Sequence, residues 1–231
     1  MTYSARDWEA NAAFVDREYR STGLRGPTEP LVKLPGGLSE HTGPMFDASA
    51  LQQLDDDLTK NGVRNGKPLG ERIVVTGHVL DDSGQPVPNT MIEIWQCNAA
   101  GRYVHSVDQH DAPLDPNFLG AGRCVTDANG CYRYYTIKPG AYPWGNHPNA
   151  WRPAHIHLSL FGCAISSRLI TQMYFPGDPL LELDPIFKAT PAHARERLVA
   201  DFDIDATQEA FALGYRFDVI LRGASATPSQ V

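Results

Sequence analysis

The segment from Tyr142 to His157, YPWGNHPNAWRPAHIH, is the feature that most constrains this chain. It ends in His155-Ile156-His157, two histidines separated by one residue. If these residues lie in a β-strand, both imidazoles share one face and Ile156 points the other way, into apolar packing. Two neutral imidazoles on one face supply two arms of a metal site. An HxH motif is short, however, and histidines are more often surface or core residues, so further ligands are needed.

The residues before the strand predict a rigid loop. Prolines and glycines between Tyr142 and His155 interrupt any helix. The same loop carries Trp144, Trp151 and Arg152. Aromatic residues and an arginine beside a histidine pair indicate a functional site.

Composition restricts the class of protein. The chain has 231 residues, of which 42% are hydrophobic and 20% charged, which fits one globular domain with arms. The net charge is -7 without a basic block, which argues against nucleic acid and anionic membranes as partners. No signal-peptide pattern and no apolar run of membrane-spanning length is present, so we expect a cytoplasmic protein.

The cysteines are expected to be free thiols. None of the four is in CxxC spacing, and a reducing compartment disfavours disulfides. They are Cys97, Cys124, Cys131 and Cys163.

The pattern along the chain predicts a mainly β protein, a two-sheet β-sandwich over residues 71–223 with short helices. Strand patterns occupy residues 72–80, 90–96, 131–137, 155–160, 169–175 and 215–221. Residues 1–70 form an irregular N-terminal arm for subunit contact, with a short helix over 7–20. A second short helix is expected over 192–203, and the tail 224–231 is expected to be frayed.

Two tyrosines are candidates for the missing ligands. Tyr103 and Tyr142 each follow a predicted strand and a glycine turn. Either alone is most simply a half-buried packing residue with its hydroxyl in water. Together with the histidine pair they compose a set of two phenols and two imidazoles.

The chemistry of that set is restrictive. A phenol has a pKa of about 10, so only a strongly Lewis-acidic ion deprotonates two of them near neutral pH. Ferric iron meets that demand, because two phenolates and a hydroxide cancel its charge. Zinc with two histidines more often recruits cysteine or a carboxylate, and ferrous oxygenases use two histidines and one carboxylate.

Several segments resemble the intradiol ring-cleaving dioxygenases. They are GRY at 101–103, TIKPGAYPW at 136–144, WRPAHIH at 151–157 and TQMYF at 171–175. Within that family the chain is most similar, over residues 5–223, to the β chains of members built from two kinds of chain. The resemblance implies a β-sandwich with iron at one edge, in agreement with the strand pattern.

The resemblance also implies a reaction. The expected substrates are dioxygen and 3,4-dihydroxybenzoate (protocatechuate), whose ring is cleaved between the two hydroxyl-bearing carbons. The product is 3-carboxy-cis,cis-muconate, in aromatic-compound catabolism.

By the same resemblance, Tyr103, Tyr142, His155 and His157 bind one non-haem Fe(III) per chain. Tyr142 and His157 are the expected axial ligands, and Tyr142 leaves the iron when substrate binds. Arg152 is expected to stabilise negative charge on the ring.

Other residues are implied to shape the pocket. Gln172 is expected near the ring and the oxygen path, and Trp144 and Ile186 are expected to wall the pocket. In the arm, Tyr19 and Arg25 are expected to approach the substrate carboxylate. Arms of this kind also pack against a related α chain, so a hetero-oligomer is expected.

Three other functions are compatible with parts of the sequence. A catechol- or hydroxyquinol-type intradiol dioxygenase uses the same iron ligands, but those relatives have a helical N-terminal domain that residues 1–70 lack. A noncatalytic transthyretin-like β-sandwich module fits the strand-turn-strand pattern of residues 75–95, but has no use for the tyrosines and histidines together. An iron-free structural subunit is disfavoured by the complete ligand set.

Overall fold

The computed structural model describes residues 8–13, 15–20, 23, 26–29, 32, 51–162 and 168–230. These residues form mainly β-strands with a few short helical segments. The strands are β1 (Arg72–Leu80), β2 (Met91–Trp95), β3 (Ala121–Val125), β4 (Cys131–Ile137), β5 (Tyr142–Pro143), β6 (Trp151–Arg152), β7 (His155–Phe161), β8 (Leu169–Tyr174), β9 (Asp201–Phe202), β10 (Leu213–Arg216) and β11 (Val219–Ile220). The α-helices are α1 (Pro185–Ala189) and α2 (Ala192–Arg195).

Two large sheets carry the fold, which confirms the predicted fold class. In the five-stranded sheet, β1 pairs antiparallel with β4 and parallel with β10 and β11, while β9 pairs with β10. The four-stranded sheet is antiparallel, in the order β3-β2-β7-β8. The short strands β5 and β6 pair with each other.

The core between the sheets explains which way β7 faces. Ile156, Leu158 and Leu160 are fully buried and belong to the same apolar cluster as Ile73 and Ile92. Each such side chain, when fully buried, contributes about 1.5–3 kcal/mol to the stability of the fold. Because β-strand side chains alternate, this packing turns the histidines of β7 to the opposite face of the sheet.

The predicted helix over residues 7–20 is wrong. Among the described residues of this range, Trp8–Ala10 forms a 3-10 turn and the rest lie in bends, turns or irregular structure. Asn146 accounts for part of the difference, since its side chain accepts from the Arg20 amide at 2.8 Å and donates to the Glu18 carbonyl at 2.7 Å. An isolated helix of this length is marginal in water, so these contacts hold the arm in another conformation.

The second predicted helix, over residues 192–203, is shorter than expected. After α2, a 3-10 turn spans Glu196–Leu198 and the chain then enters β9. Within the described part of the chain, no helix is long and apolar enough to cross a membrane.

The described part of the tail packs against the protein, whereas the sequence predicts a frayed end. Ala226, Thr227 and Gln230 are buried. The Thr227 amide donates to the Ile220 carbonyl at 2.8 Å, and the Gln230 amide donates to the Ile170 carbonyl at 2.9 Å. The tail therefore lies against β11 and β8.

Three of the cysteines are free, as predicted. Cys97 and Cys124 are buried, and Cys131 is partly exposed. Burial raises the pKa of the Cys97 thiol to about 12. Cys163 lies outside the described residues.

Candidate metal centre

The four-stranded sheet fixes the two histidines of β7. His155 and His157 share one face, with ring centroids 4.9 Å apart. Tyr174 of β8 lies opposite His155, while Trp95 of β2 and Gln172 of β8 flank His157. The Trp95 indole stacks on the His157 ring at 4.8 Å with an interplanar angle of 5°. Both imidazoles are therefore oriented by cross-strand neighbours as well as by their own strand.

The two-residue ladder of β5 and β6 brings Tyr142 to the histidines. Tyr142 pairs with Arg152 in this ladder. The Tyr142 hydroxyl lies 3.5 Å from Nε2 of His155, and the two ring centroids are 5.5 Å apart. The proline-rich loop therefore places a phenol oxygen beside a histidine nitrogen.

The turn before Tyr103 depends on a glycine. The Asn98 side chain accepts from the amides of Ala100 and Arg102, both at 2.9 Å, which closes the turn. Gly101 has φ +78°, and a Cβ at this position would collide with the Ala141 carbonyl. Only glycine suits this close approach of the two tyrosine-bearing loops.

Tyr103 completes a set of four rings, each in contact with the next. Its amide donates to Oδ2 of Asp108 at 2.8 Å, which fixes the backbone after the turn. Its ring meets that of Tyr142 edge to face, with centroids 5.5 Å apart. The sequence-predicted residues Tyr103, Tyr142, His155 and His157 thus lie together.

The electrostatic environment keeps both imidazoles neutral. Nδ1 of His155 lies 2.7 Å from the Pro153 carbonyl, so Nδ1 carries the proton and donates, leaving the Nε2 lone pair for a cation. Burial, reinforced by Arg152 and His157, lowers the pKa of His155 well below its usual value. Burial and Arg152 lower the pKa of His157 to about 3. Neutral imidazole is the form that binds metals.

Burial keeps both phenols in their neutral form. Burial raises the pKa of Tyr103 well above its usual value, and burial also raises the pKa of Tyr142 although Arg152 opposes that shift. The buried Tyr103 hydroxyl has no hydrogen-bond partner among the described residues. An unsatisfied buried polar group costs about 1–3 kcal/mol. A cation beside this oxygen would remove that cost and favour the phenolate.

The donor set fits a hard, strongly Lewis-acidic metal ion. Among the described residues, no group of three or more His, Cys, Asp or Glu side chains is arranged to hold a metal. The two adjacent phenols carry oxygens that are hard donors, so they could hold such an ion together with the two imidazoles.

Arg152 is buried beside these rings, only 3% exposed. Its Nη1 lies 3.2 Å from Nε2 of His155. Its Nη2 donates to Oε1 of Gln172 at 2.8 Å and to the Tyr174 hydroxyl at 3.0 Å. The structure therefore brings the predicted residues Arg152 and Gln172 into one network beside the histidines.

Asp184 balances the charge of Arg152 and was not predicted from the sequence. Its Oδ2 lies 2.9 Å from Nη2 of Arg152, and its side chain is fully buried. The same carboxylate accepts from the amides of Ile186 and Phe187 and so caps α1. Asp-Pro at the start of a helix is a recognisable cap signal, but an ion pair across 32 residues has no local signature.

Three of the four remaining predicted pocket residues, Trp144, Ile186 and Tyr19, lie in the described part of the chain. Trp144 has its ring centroid 5.8 Å from Cζ of Arg152 and 5.2 Å from the ring of Tyr19. Ile186 is half-buried in the first turn of α1. Arg25 lies outside the described residues. The arm thus reaches the loop of the candidate site through Tyr19.

Comparison with known proteins identifies relatives over most of the chain. A family model described as "Dioxygenase" matches residues 41–223. The chain is 65% identical over 225 residues to the protocatechuate 3,4-dioxygenase beta chain of Burkholderia cepacia, covering 97% of this chain and 96% of the relative. It is 30% identical over 161 residues to the alpha chain from the same organism, covering 68% and 76% of the two chains.

Solved structures show the same fold. The 3-chlorocatechol 1,2-dioxygenase of Rhodococcus opacus 1CP superposes with a TM-score of 0.57 at 23% identity. The match covers 78% of this chain and 71% of that chain.

Proposed function

The chain belongs to the intradiol ring-cleaving dioxygenase family, and from that premise we propose that it cleaves 3,4-dihydroxybenzoate (protocatechuate) with dioxygen. Cleavage between the two hydroxyl-bearing carbons gives 3-carboxy-cis,cis-muconate. The observation that carries the proposal is the 65% identity to a protocatechuate 3,4-dioxygenase beta chain across 97% of this chain. The set of two phenols and two imidazoles in successive contact supports the proposal independently.

Members of this family generally use non-haem Fe(III), and we assign one such ion to this chain. Its proposed protein ligands are Tyr103, Tyr142, His155 and His157. Support comes from the unpartnered Tyr103 hydroxyl and from the low histidine pKa values. When bound, the ferric ion supplies Lewis acidity and a template that orients the catechol.

The chain's own groups divide the remaining work. As a phenolate, the Tyr142 oxygen would accept a proton from a catechol hydroxyl bound beside His155. Arg152 presents Nη1 toward the histidines and stabilises negative charge that develops on the ring. Gln172 holds the guanidinium from the other side, while Trp144 and Ile186 provide flat apolar walls.

The N-terminal arm is proposed to complete the pocket with a partner chain. Tyr19 packs on Trp144, which supports its role near the substrate carboxylate, and Arg25 is proposed to pair with that carboxylate. The named relative is a beta chain, and the similarity to an alpha chain supports a related partner in a hetero-oligomer.

Replacement of Tyr142 by phenylalanine is expected to leave iron bound but to slow substrate association. The variant loses the oxygen that accepts a catechol proton, while both imidazoles and Tyr103 stay in place. Stopped-flow mixing with 3,4-dihydroxybenzoate under anaerobic conditions measures the association rate. Tyr135→Phe is the control, because Tyr135 lies on β4 in the other sheet. An unchanged rate in Tyr142→Phe would remove this tyrosine from its proposed role.

Substrate preference distinguishes this proposal from a related activity. We expect kcat/KM for 3,4-dihydroxybenzoate to exceed that for catechol by about 10²-fold or more, because loss of a charge-assisted carboxylate contact costs about 1.5–3 kcal/mol and other recognition contacts add to it. Turnover measured with both compounds at one pH gives the ratio. A preference for catechol or hydroxyquinol would replace the proposed substrate while retaining the family.

A further inference from the structure

The Tyr174 hydroxyl is a branch point behind the candidate metal centre. It accepts from Nη2 of Arg152 at 3.0 Å. Its one hydrogen has two acceptors within reach, Oε1 of Gln172 at 3.2 Å and Oε1 of Gln230 at 3.1 Å. The direction of that hydrogen sets where the lone pairs of the hydroxyl oxygen point, and so how well this oxygen accepts from Arg152.

Gln230 is fixed in the orientation that accepts. Its Nε2 donates to Oγ1 of Thr190 at 2.9 Å and approaches the Ile186 carbonyl at 3.4 Å. The other end of the amide, Oε1, consequently faces Tyr174. Its side chain is buried, and its backbone amide is bonded to Ile170. The tail that the sequence predicted to be frayed therefore delivers a rigid acceptor into the network.

We propose that Gln230 is a positioning residue for ring cleavage, acting through the Tyr174 hydroxyl on Arg152 and Gln172. By accepting the Tyr174 hydrogen, Gln230 turns the lone pairs of that hydroxyl toward the Arg152 guanidinium. Arg152 is then held by Asp184, Gln172 and Tyr174 on one side, so that Nη1 points to the histidines. This inference rests on the proposed function, because Arg152 is the group through which it reaches the substrate.

Loss of the acceptor changes the network without touching a metal ligand. In Gln230→Ala, the Tyr174 hydrogen turns to its remaining acceptor, Oε1 of Gln172, and the lone pairs of the hydroxyl turn away from Arg152. The guanidinium is held less firmly, and charge stabilisation on the ring weakens. We expect kcat to fall about 10-fold, the lower end of the usual cost of an outer-shell partner, with KM and iron content unchanged within twofold.

Thr190→Val is the matched control. In this isosteric change Nε2 of Gln230 loses the Thr190 hydroxyl but keeps the Ile186 carbonyl as an acceptor, so the amide retains its orientation and Oε1 still faces Tyr174. We expect the variant to lower the unfolding midpoint but to keep kcat within twofold of the parent protein. If Thr190→Val lowers kcat as much as Gln230→Ala, anchoring of the tail is sufficient and the positioning role is overturned.

A double-variant cycle with Tyr174→Phe tests the route. In the Tyr174→Phe background, Gln230→Ala is expected to cause no further loss of kcat, because the hydroxyl through which it acts is gone. Additive losses would overturn the proposed route. The measurements use the assembled, iron-loaded enzyme.

Thermal unfolding of the same four proteins after iron removal gives a readout independent of turnover. We expect the shifts in midpoint for Gln230→Ala and Tyr174→Phe to be non-additive, and additive shifts would contradict the contact itself. If the parent protein does not cleave 3,4-dihydroxybenzoate, the proposed function fails on that result alone. The iron-free cycle still tests the contact in that case.

Discussion

Replacement of His157 by alanine is expected to abolish iron binding and, with it, turnover of 3,4-dihydroxybenzoate. His157 is held by the stacked Trp95 indole and kept neutral by burial, so its ring already has the orientation and the protonation state that a metal ligand would need. Loss of an outer-shell partner typically costs about 10- to 100-fold in metal affinity, and loss of a direct ligand costs more. Iron content after dialysis, measured by elemental analysis, reports the effect.

His147→Ala is the control for that experiment. His147 lies on the same loop, but its side chain is exposed and contacts the neighbouring Pro148 carbonyl. We expect iron content and turnover to be unchanged in this control. Retention of iron and activity in His157→Ala would assign His157 to packing rather than to the metal.

Replacement of Asp184 by alanine is expected to destabilise the fold by about 3–5 kcal/mol, since removal of one partner leaves an unpaired charge buried. Arg152 and Asp184 have side-chain exposures of 4% and 0%, so water cannot replace the lost partner. The variant also loses the cap of α1, which adds about 1 kcal/mol. Denaturant unfolding of the iron-free protein measures the change in the free energy of unfolding.

Glu93→Ala provides a comparison at the same ion-pair distance. Arg168 and Glu93 are also 2.9 Å apart, but their side chains are 44% and 29% exposed. We expect a cost of about 0–1 kcal/mol, as is usual for surface ion pairs. Equal destabilisation in the two variants would show that burial does not increase the contribution of the Arg152–Asp184 ion pair to stability.

The sequence predicts the parts of this fold that rest on local periodicity. The bounds of β1 and β4 coincide with the predicted strands, and Ile156 packs in the core as the alternation of β7 requires. Local signals were less successful where a long-range contact decides the conformation. In the arm, Glu18 and Arg20 bond to Asn146, which lies more than one hundred residues away, and the described residues of this range do not form the predicted helix.

The same distinction between local signals and long-range contacts applies to the residues of the candidate site. Tyr103, Tyr142, His155 and His157 carry recognisable motifs and were found from the sequence. Asp184 and Gln230 carry none, because their roles depend on distances between separate elements, and Tyr174 lies in the TQMYF segment but was assigned no role. Tyr174 had one local signal, since it alternates with Gln172 on β8 and therefore shares its face. Gln230 had no signal at all in a segment that composition marks as frayed.

The visible spectrum of the iron-loaded protein tests the central claim most directly. Two phenolates on one ferric ion predict a burgundy colour from a broad phenolate-to-iron charge-transfer band. Anaerobic addition of 3,4-dihydroxybenzoate is predicted to change this band, because protonation of Tyr142 by the catechol would remove one of the two phenolates. A colourless protein with one iron per chain would contradict the assignment of Tyr103 and Tyr142 as ligands.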